Sequence, residues 1–323
     1  MRARLWLGCL LAFCGSAALA QDYPTRTVTM IVPSAPGGTL DALGRLMAQA
    51  MGPELGRSVV IENVTGAGSL VGMQRLVRSD PEGHVIGFGN VGSMAANVAT
   101  TRDLGFDPRT DLTPISIVAN VPMVLAASPR SGIRDLATLL SRIRERGEGV
   151  TFGTPGAGTT GHLAPAYLFT LVGAKAMLVP YRGAGPAMSD LAAGTVDVVI
   201  DQTVTMIPAH LGRTAVALAV TGSARAAQLP DVPTFAEAGV PGFDMVIWNA
   251  IAGPKGMPPT VVQRLQLAIE AALTSPAVAS RFADLAATMP PPAQRGPEAM
   301  QRQIAADVDR WVQVVRSSGM ALQ

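Results

Sequence analysis

The chain has 323 residues, 48% of them apolar and only 4% aromatic, with 34 glycines and 25 prolines. That length exceeds one small core and suits two domains, and the composition is that of a soluble α/β protein rather than a disordered or fibrous one. With 25 basic against 23 acidic residues, no basic excess supports a nucleic-acid or anionic-membrane role.

The first twenty residues are expected to stand apart from the fold. Arg2 and Arg4 precede an apolar run from Leu5 to Phe13, and Ala18-Leu19-Ala20 follows. A charged start, an apolar stretch too short to span a bilayer and an A-x-A site predict an export signal over residues 1–20, cut after Ala20. Cys14 suggests a lipoprotein anchor, but Phe13 before it is too bulky and the Ala20 site is better. The mature chain is therefore expected in the periplasm, beginning at Gln21. Both cysteines, Cys9 and Cys14, leave with the signal, which removes disulfide, thiolate and cysteine-metal chemistry. Losing Arg2 and Arg4 also brings the basic count from 25 to 23, equal to the 23 acids.

Short β-runs then alternate with helical patterns. Thr27–Val32, Val59–Glu62 and His84–Phe88 read as strands, with helices near Leu40–Pro53 and Ser69–Arg78. A long β-rich stretch with a proline break, Ile115–Pro129, is the expected crossing point. A second series follows: strands at Val150–Phe152, Ala176–Val179, Val196–Ile200 and Ala215–Val220, and helices near Gly161–Leu171, Ala184–Ala193 and Val204–Leu211. Strands separated by helices of this length imply parallel sheets with right-handed crossovers. From Pro258 onward three helices follow without strands, so they are expected to pack back on the first sheet. The expected fold is α/β: two doubly wound domains joined by crossing strands. Residues 21–123 and 224–323 form a discontinuous first domain and 124–223 the second, with a second crossing near Thr221–Ala226. Open α/β sheets bind ligands at the C-terminal ends of their strands, here in a cleft between the domains.

Catalytic and cofactor motifs are sparse. Gly87-x-Gly89-x-x-Gly92 and Gly156-x-Gly158-x-x-Gly161 match G-x-G-x-x-G, but neither has the acid at the end of the next strand that a dinucleotide ribose needs. His84, His162 and His210 lack metal-ligand spacing. There is no G-x-S-x-G elbow and no phosphate-binding G-x-x-x-x-G-K-[ST]. No cofactor and no metal are expected.

One kind of loop recurs instead. "SAPGGTLD" (Ser34–Asp41), "GNVGS" (Gly89–Ser93) and "GTPGAGTTGH" (Gly153–His162) each end a strand and start a helix, and are rich in Gly, Ser or Thr. Such loops present backbone N–H groups and hydroxyls at helix N-termini, an arrangement that favours anions. Any one alone reads as a tight turn; three of similar character favour binding. A micromolar ligand needs about 8 kcal/mol, so several must converge.

The stretch "YPTRTVTMIVPSAPGGTLDALGRLMAQAM" resembles the mature N-terminus of Bug-type receptors of tripartite tricarboxylate transporters. The resemblance continues through "VVIENVTGAGSLVG", "DPEGHVIGFGN", "FGTPGAGTTGHLA", "VPYRGAGPAMSDLAAGTVDVVID", "ALAVTGSARAAQLPDVPTFAEAGVPGF" and "GPKGMPP", in order over essentially the whole mature chain. It implies a type II-like periplasmic binding fold that closes on a small carboxylate, with no catalysis, acting as a monomer with the transporter's membrane components. It also implies that Ser34, Ala35, Pro36, Gly37, Gly38 and Thr39 grip the carboxylate together with Thr154, Gly158, Thr159, Thr160 and His162. Asn90 and Ser93 join them from the second loop. His162 has two readings, ligand donor or loop support. Tyr181 and Arg182 fall near the cleft, Arg182 either meeting a distal acidic group or lying solvated. Asp201 falls at the polar far end of the ligand, and Trp248 is expected to line or cap the cleft. The sequence departs from the family pattern at Ser34, where a larger residue is common, and at Thr65, where proline is usual. An extracytoplasmic sensor of the same fold and a secreted enzyme acting on a carboxylated metabolite are the competing functions. An enzyme would need a placed base or nucleophile.

Overall fold

The computed structural model describes residues 23–318. The first half runs β1 (Val28–Val32), α1 (Thr39–Leu55), β2 (Val59–Asn63), α2 (Leu70–Val77) and β3 (Val85–Asn90). A π turn at Gly92–Ala96 then leads into α3 (Asn97–Thr100). β1 is apolar on both faces and almost wholly buried, as a central parallel strand must be. α1 buries one stripe, including Leu43, Met47 and Met51, and ends where Gly56 adopts the left-handed conformation.

β4 (Leu112–Ala127) is a 16-residue strand that belongs to both sheets. Beyond it come α4 (Leu136–Arg146), β5 (Thr151–Thr154), α5 (Thr160–Val172), β6 (Met177–Pro180), α6 (Ala184–Ala193), β7 (Val198–Gln202), α7 (Thr203–Leu211) and β8 (Val216–Val220). The chain returns through β9 (Val246–Pro254) and closes with α8 (Pro259–Thr274), α9 (Pro276–Asp284) and α10 (Pro297–Ser318).

The strand order is β2-β1-β3-β9-β4-β7-β5-β6, with β8 also paired to β4. Within each half the βαβ pairs are parallel, as expected: β1 with β2 and β3, β5 with β6 and β7. All pairs involving β4 and β9 are antiparallel, so the sheets are mixed where purely parallel ones were expected. The cause is the double crossing, in which one strand leaves the first half and its neighbour comes back.

β9 and α4 were not foreseen. The segment 224–245, assigned above to the first domain, packs on the second half: the Phe243 ring stacks on Tyr167 of α5 at 5.7 Å and Phe235 N–H bonds the carbonyl of Val220 on β8. The last three helices do return to the first half, α8 and α9 against α1, and α10 against β4 and α3.

Candidate functional site

Loops from both halves meet in one cavity of about 90 Å³, several times the roughly 10–15 Å³ that one water requires. The first half supplies Pro33, Ser34, Thr39, Leu40, the loop Gly66–Ser69, Asn90 and Ser93. The second supplies Pro155, Thr159, Thr160, Tyr181, Arg182, Ala184, Asp201 and Gln202.

Six helical segments begin in this wall. Thr39, Thr160 and Ala184 are the first residues of α1, α5 and α6. Ser69 and Gln202 precede α2 and α7, and Ser93 lies in the first turn of the π segment. First-turn N–H groups have no acceptor within their own helix, and each helix start carries positive partial charge. At about 0.3–1 kcal/mol apiece the six sum to about 2–6 kcal/mol toward an anion. The cavity thus attracts negative charge with a single cation, the exposed Arg182, in its lining.

The opening loop works differently from the expectation. Ala35, Pro36, Gly37 and Gly38 do not line the cavity. Gly37 sits in the left-handed region (φ 84°) and gives its N–H to the Asp41 carboxylate at 3.1 Å, so that donor is already used. Asp41 also accepts from Arg45 Nε at 3.1 Å and Asn63 Nδ2 at 3.0 Å. Burial opposes its charge, but the hydrogen bonds from Arg45, Gly37 and Asn63 prevail and hold its carboxyl below the usual range. Asp41 is the brace of the loop.

The outer face of this loop lies against α6. A Cβ on Gly38 would stand 3.1 Å from the Ala184 Cβ, and one on Gly185 would stand 2.3 Å from the Pro36 carbonyl oxygen. The Ala35 N–H donates to the Arg182 carbonyl at 3.3 Å. These glycines let one half approach the other, backbone to backbone.

The second and third loops are internally braced. Asn90 Oδ1 accepts from the N–H groups of Gly92 and Ser93, at 3.0 and 3.3 Å. No protein acceptor among the described residues takes its Nδ2. Thr159 donates its hydroxyl to the Gly156 carbonyl at 2.6 Å. Thr154, Gly158 and His162 stand behind the wall. Gly158 (φ 82°) makes the turn, and His162 Nδ1 lies 3.0 Å from Thr154 Oγ1. Burial lowers the His162 pKa, favouring the neutral ring.

Tyr181 lines the cavity but turns its hydroxyl to Asp190 at 2.5 Å; burial first, then that carboxylate, pushes its pKa up to about 12. Asp201 lines the cavity 5% exposed. Trp248 does not line it. The indole lies against α10 and donates to Asp307 Oδ2 at 2.6 Å, because β9 carries it to the opposite side of the crossing strands.

The loop Gly66–Ser69 and Gln202 were not anticipated as site residues. The signal was present: "VTGAGSL" follows β2 and opens α2 with the same Gly- and Ser-rich chemistry as the other loops. Ala67 (φ 42°) and Ser69 (φ 82°) are held in the left-handed region, at a cost of about 1–3 kcal/mol each that surrounding structure must over-determine. Gln202 is fixed by the Asn249 amide of β9 at 2.8 Å.

Two α/β halves sharing antiparallel crossing strands, with an anion-attracting cavity between them, define the class of two-domain periplasmic binding proteins. The model of the tripartite tricarboxylate transporter family receptor matches residues 43–320, and the chain belongs to that family. The periplasmic binding protein BugD has the same fold at a TM-score of 0.89 and 32% identity, over 93% of this chain and 100% of that one. MatC from Rhodopseudomonas palustris, solved with bound malate, gives 0.88 and 33% over 91% and 100%. A second R. palustris protein, solved with adipate, gives 0.88 and 33% over 94% and 100%.

Proposed function

We propose that this protein is exported to the periplasm and captures a small organic carboxylate for delivery to the membrane components of a tripartite tricarboxylate transporter. The observation that carries this is the convergence of six helix starts on one cavity, contributed by both halves of the chain. Malate and adipate in two relatives of the same fold set the chemical class. The halves act as two domains that close on the ligand, dividing near residue 123 and at the start of β9. The protein acts as a monomer and as a binder: Asp201, the lone acidic side chain of the described lining, is engaged by the Thr39 and Thr205 hydroxyls.

A thermal-shift screen over mono-, di- and tricarboxylates, amino acids and aromatic acids tests it. Ligand at about a hundredfold over its Kd adds about 2.7 kcal/mol, which raises the melting temperature by a few degrees. A screen in which only uncharged solutes stabilise the protein refutes the reading. Intact-mass analysis of a periplasmic fraction is expected to give a chain starting at Gln21; a mass retaining Met1 refutes the export step.

A further inference from the structure

A buried relay of amides runs from the crossing strand β9 to the cavity wall. Asn249, fully buried and outside the lining, donates its Nδ2 twice, to the Ile247 carbonyl at 3.2 Å and to Gln202 Oε1 at 2.8 Å. A backbone carbonyl can only accept, so the Asn249 atom that faces it is nitrogen. The second N–H of that nitrogen in turn requires an oxygen from Gln202. The Gln202 amide is thereby fixed end for end. Its Oε1 is taken up inside the protein, and its Nε2, with no acceptor among the described residues, is left to the cavity that Gln202 lines. Asn249 Oδ1 is buried without a partner among the described residues. Native structures leave few polar atoms in that state, and local rules are broken chiefly at functional sites.

Asn90 repeats the device from the other half. Its Oδ1 is taken by the N–H groups of Gly92 and Ser93, which leaves its Nδ2 to the same cavity. Both side chains are more than nine-tenths buried, Asn90 at the end of β3 and Gln202 at the end of β7. The Ser69 and Thr160 hydroxyls of the lining can turn to donate or accept. The two amides, with their oxygens committed, can only donate. A ligand must answer each with an acceptor or leave a buried N–H unpaired, and buried unpaired groups discriminate far more strongly than apolar walls do by size.

Building on the carboxylate reading, we infer that Gln202 is a ligand contact that offers the anion N–H donors alone, and that Asn249 is the positioning residue that fixes this polarity from the crossing strand.

The test is calorimetric titration at pH 8 with acetate, succinate, malate, adipate and citrate, the variants being compared on whichever of these binds the wild type most tightly. Burial raises the neighbouring Asp201 carboxyl to about 6, so it stays charged throughout. Gln202→Met keeps the length without the donor and is expected to lose at least about tenfold in affinity. Gln202→Glu still accepts from Asn249 but turns an oxygen to the cavity, and is expected to lose more than Gln202→Met. Asn249→Leu is expected to lose at least about threefold, and to add nothing when combined with Gln202→Met. A Gln202→Met protein that binds like the wild type, a Gln202→Glu protein that binds as tightly as Gln202→Met or better, or an Asn249→Leu loss undiminished in the double variant overturns the inference and leaves the carboxylate reading standing. A wild type that binds none of the five acids overturns both. Should Gln202→Glu or Asn249→Leu fail to fold, the other decides together with Gln202→Met.

Discussion

Closure of the cavity can be perturbed without touching its lining. Gly185 lies in the first turn of α6, and a Cβ there would meet the Pro36 carbonyl oxygen at 2.3 Å and the Gly37 carbonyl carbon at 3.4 Å. Real Cβ contacts essentially never fall under 3.0 Å, so the seam must part by at least 0.7 Å, the difference between those figures. The obstructing atom is backbone and cannot rotate away. Overpacking of this kind costs about 1–3 kcal/mol, borne only by the closed form, so Gly185→Ala is expected to weaken ligand binding by about 5- to 150-fold. The same substitution improves helix propensity by up to about 1 kcal/mol, so the ligand-free protein melts at the same temperature or higher. Gly52→Ala is the control: it sits inside α1, where its Cβ would meet the Arg57 carbonyl at an ordinary 3.5 Å, and affinity is expected to hold. Isothermal titration with whichever carboxylate the thermal screen identifies gives the comparison. A Gly185→Ala protein that binds like the wild type refutes the argument that the two loops meet in the bound state.

The remaining predictions concern buried charge and the misplaced indole. Because the Asp201 carboxyl is raised from 3.8 to about 6, the native state keeps a proton that the unfolded chain has released between those values. The stability this supplies is present at low pH and lost as pH rises through about 6, a change of about 3 kcal/mol at about 1.4 kcal/mol per tenfold in proton affinity. Relative to the wild type, ligand-free Asp201→Asn should therefore gain stability between pH 4 and pH 7 in denaturant melts; a gap that does not move with pH counts against the buried charge. Trp248→Phe removes the donor to Asp307 Oδ2, which keeps only Gln303 Nε2 at 2.7 Å as a close side-chain partner. It is expected to cost about 1–3 kcal/mol of stability with ligand affinity unchanged, and a large affinity loss in a folded variant would return Trp248 to the site.

Much of this architecture is legible in the sequence because each parallel half repeats one local rule. Apolar runs buried on both faces alternate with amphipathic helices, and the α6 bounds, Ala184–Ala193, follow from Gly183 before it and Gly194 after it. α4 is equally legible: Asp135 caps it by accepting from the Thr138 N–H at 2.7 Å, and Leu136, Leu139, Leu140 and Ile143 lie at helical spacing. β9 is harder. Its sequence, "VIWNAIAGP", is a continuous apolar run broken by Asn249, and nothing local says that it will pair antiparallel with a strand more than a hundred residues earlier. That register decides where Trp248 points. The side chain alternates across the strand, and so the indole faces α10 while the neighbouring Asn249 holds Gln202 in the cavity wall.

The glycines show the same limit from another side. Composition and turn chemistry identify Gly37 and Gly38 as special, and a positive φ at Gly37 is a local property that a strand-to-helix turn announces. A short distance between chains is not local. Gly38 faces Ala184, Gly185 faces Pro36, and Gly183 has the backbone of Ala35 within 2.8 Å of where its Cβ would be. Each of these needs a small residue because of a partner about 150 positions away. A sequence displays both members of such a pair with no mark joining them. Reading the first loop alone therefore turned its glycines toward a ligand, when a glycine without a side chain serves equally to admit another backbone. The distinction has a chemical consequence. If Gly38 bared its N–H to the anion, Gly38→Ala would act on direct contact and depend on the ligand's charge. Set against Ala184 Cβ at 3.1 Å, it acts on closure, and the fractional loss in affinity should be the same for every acid the cavity accepts.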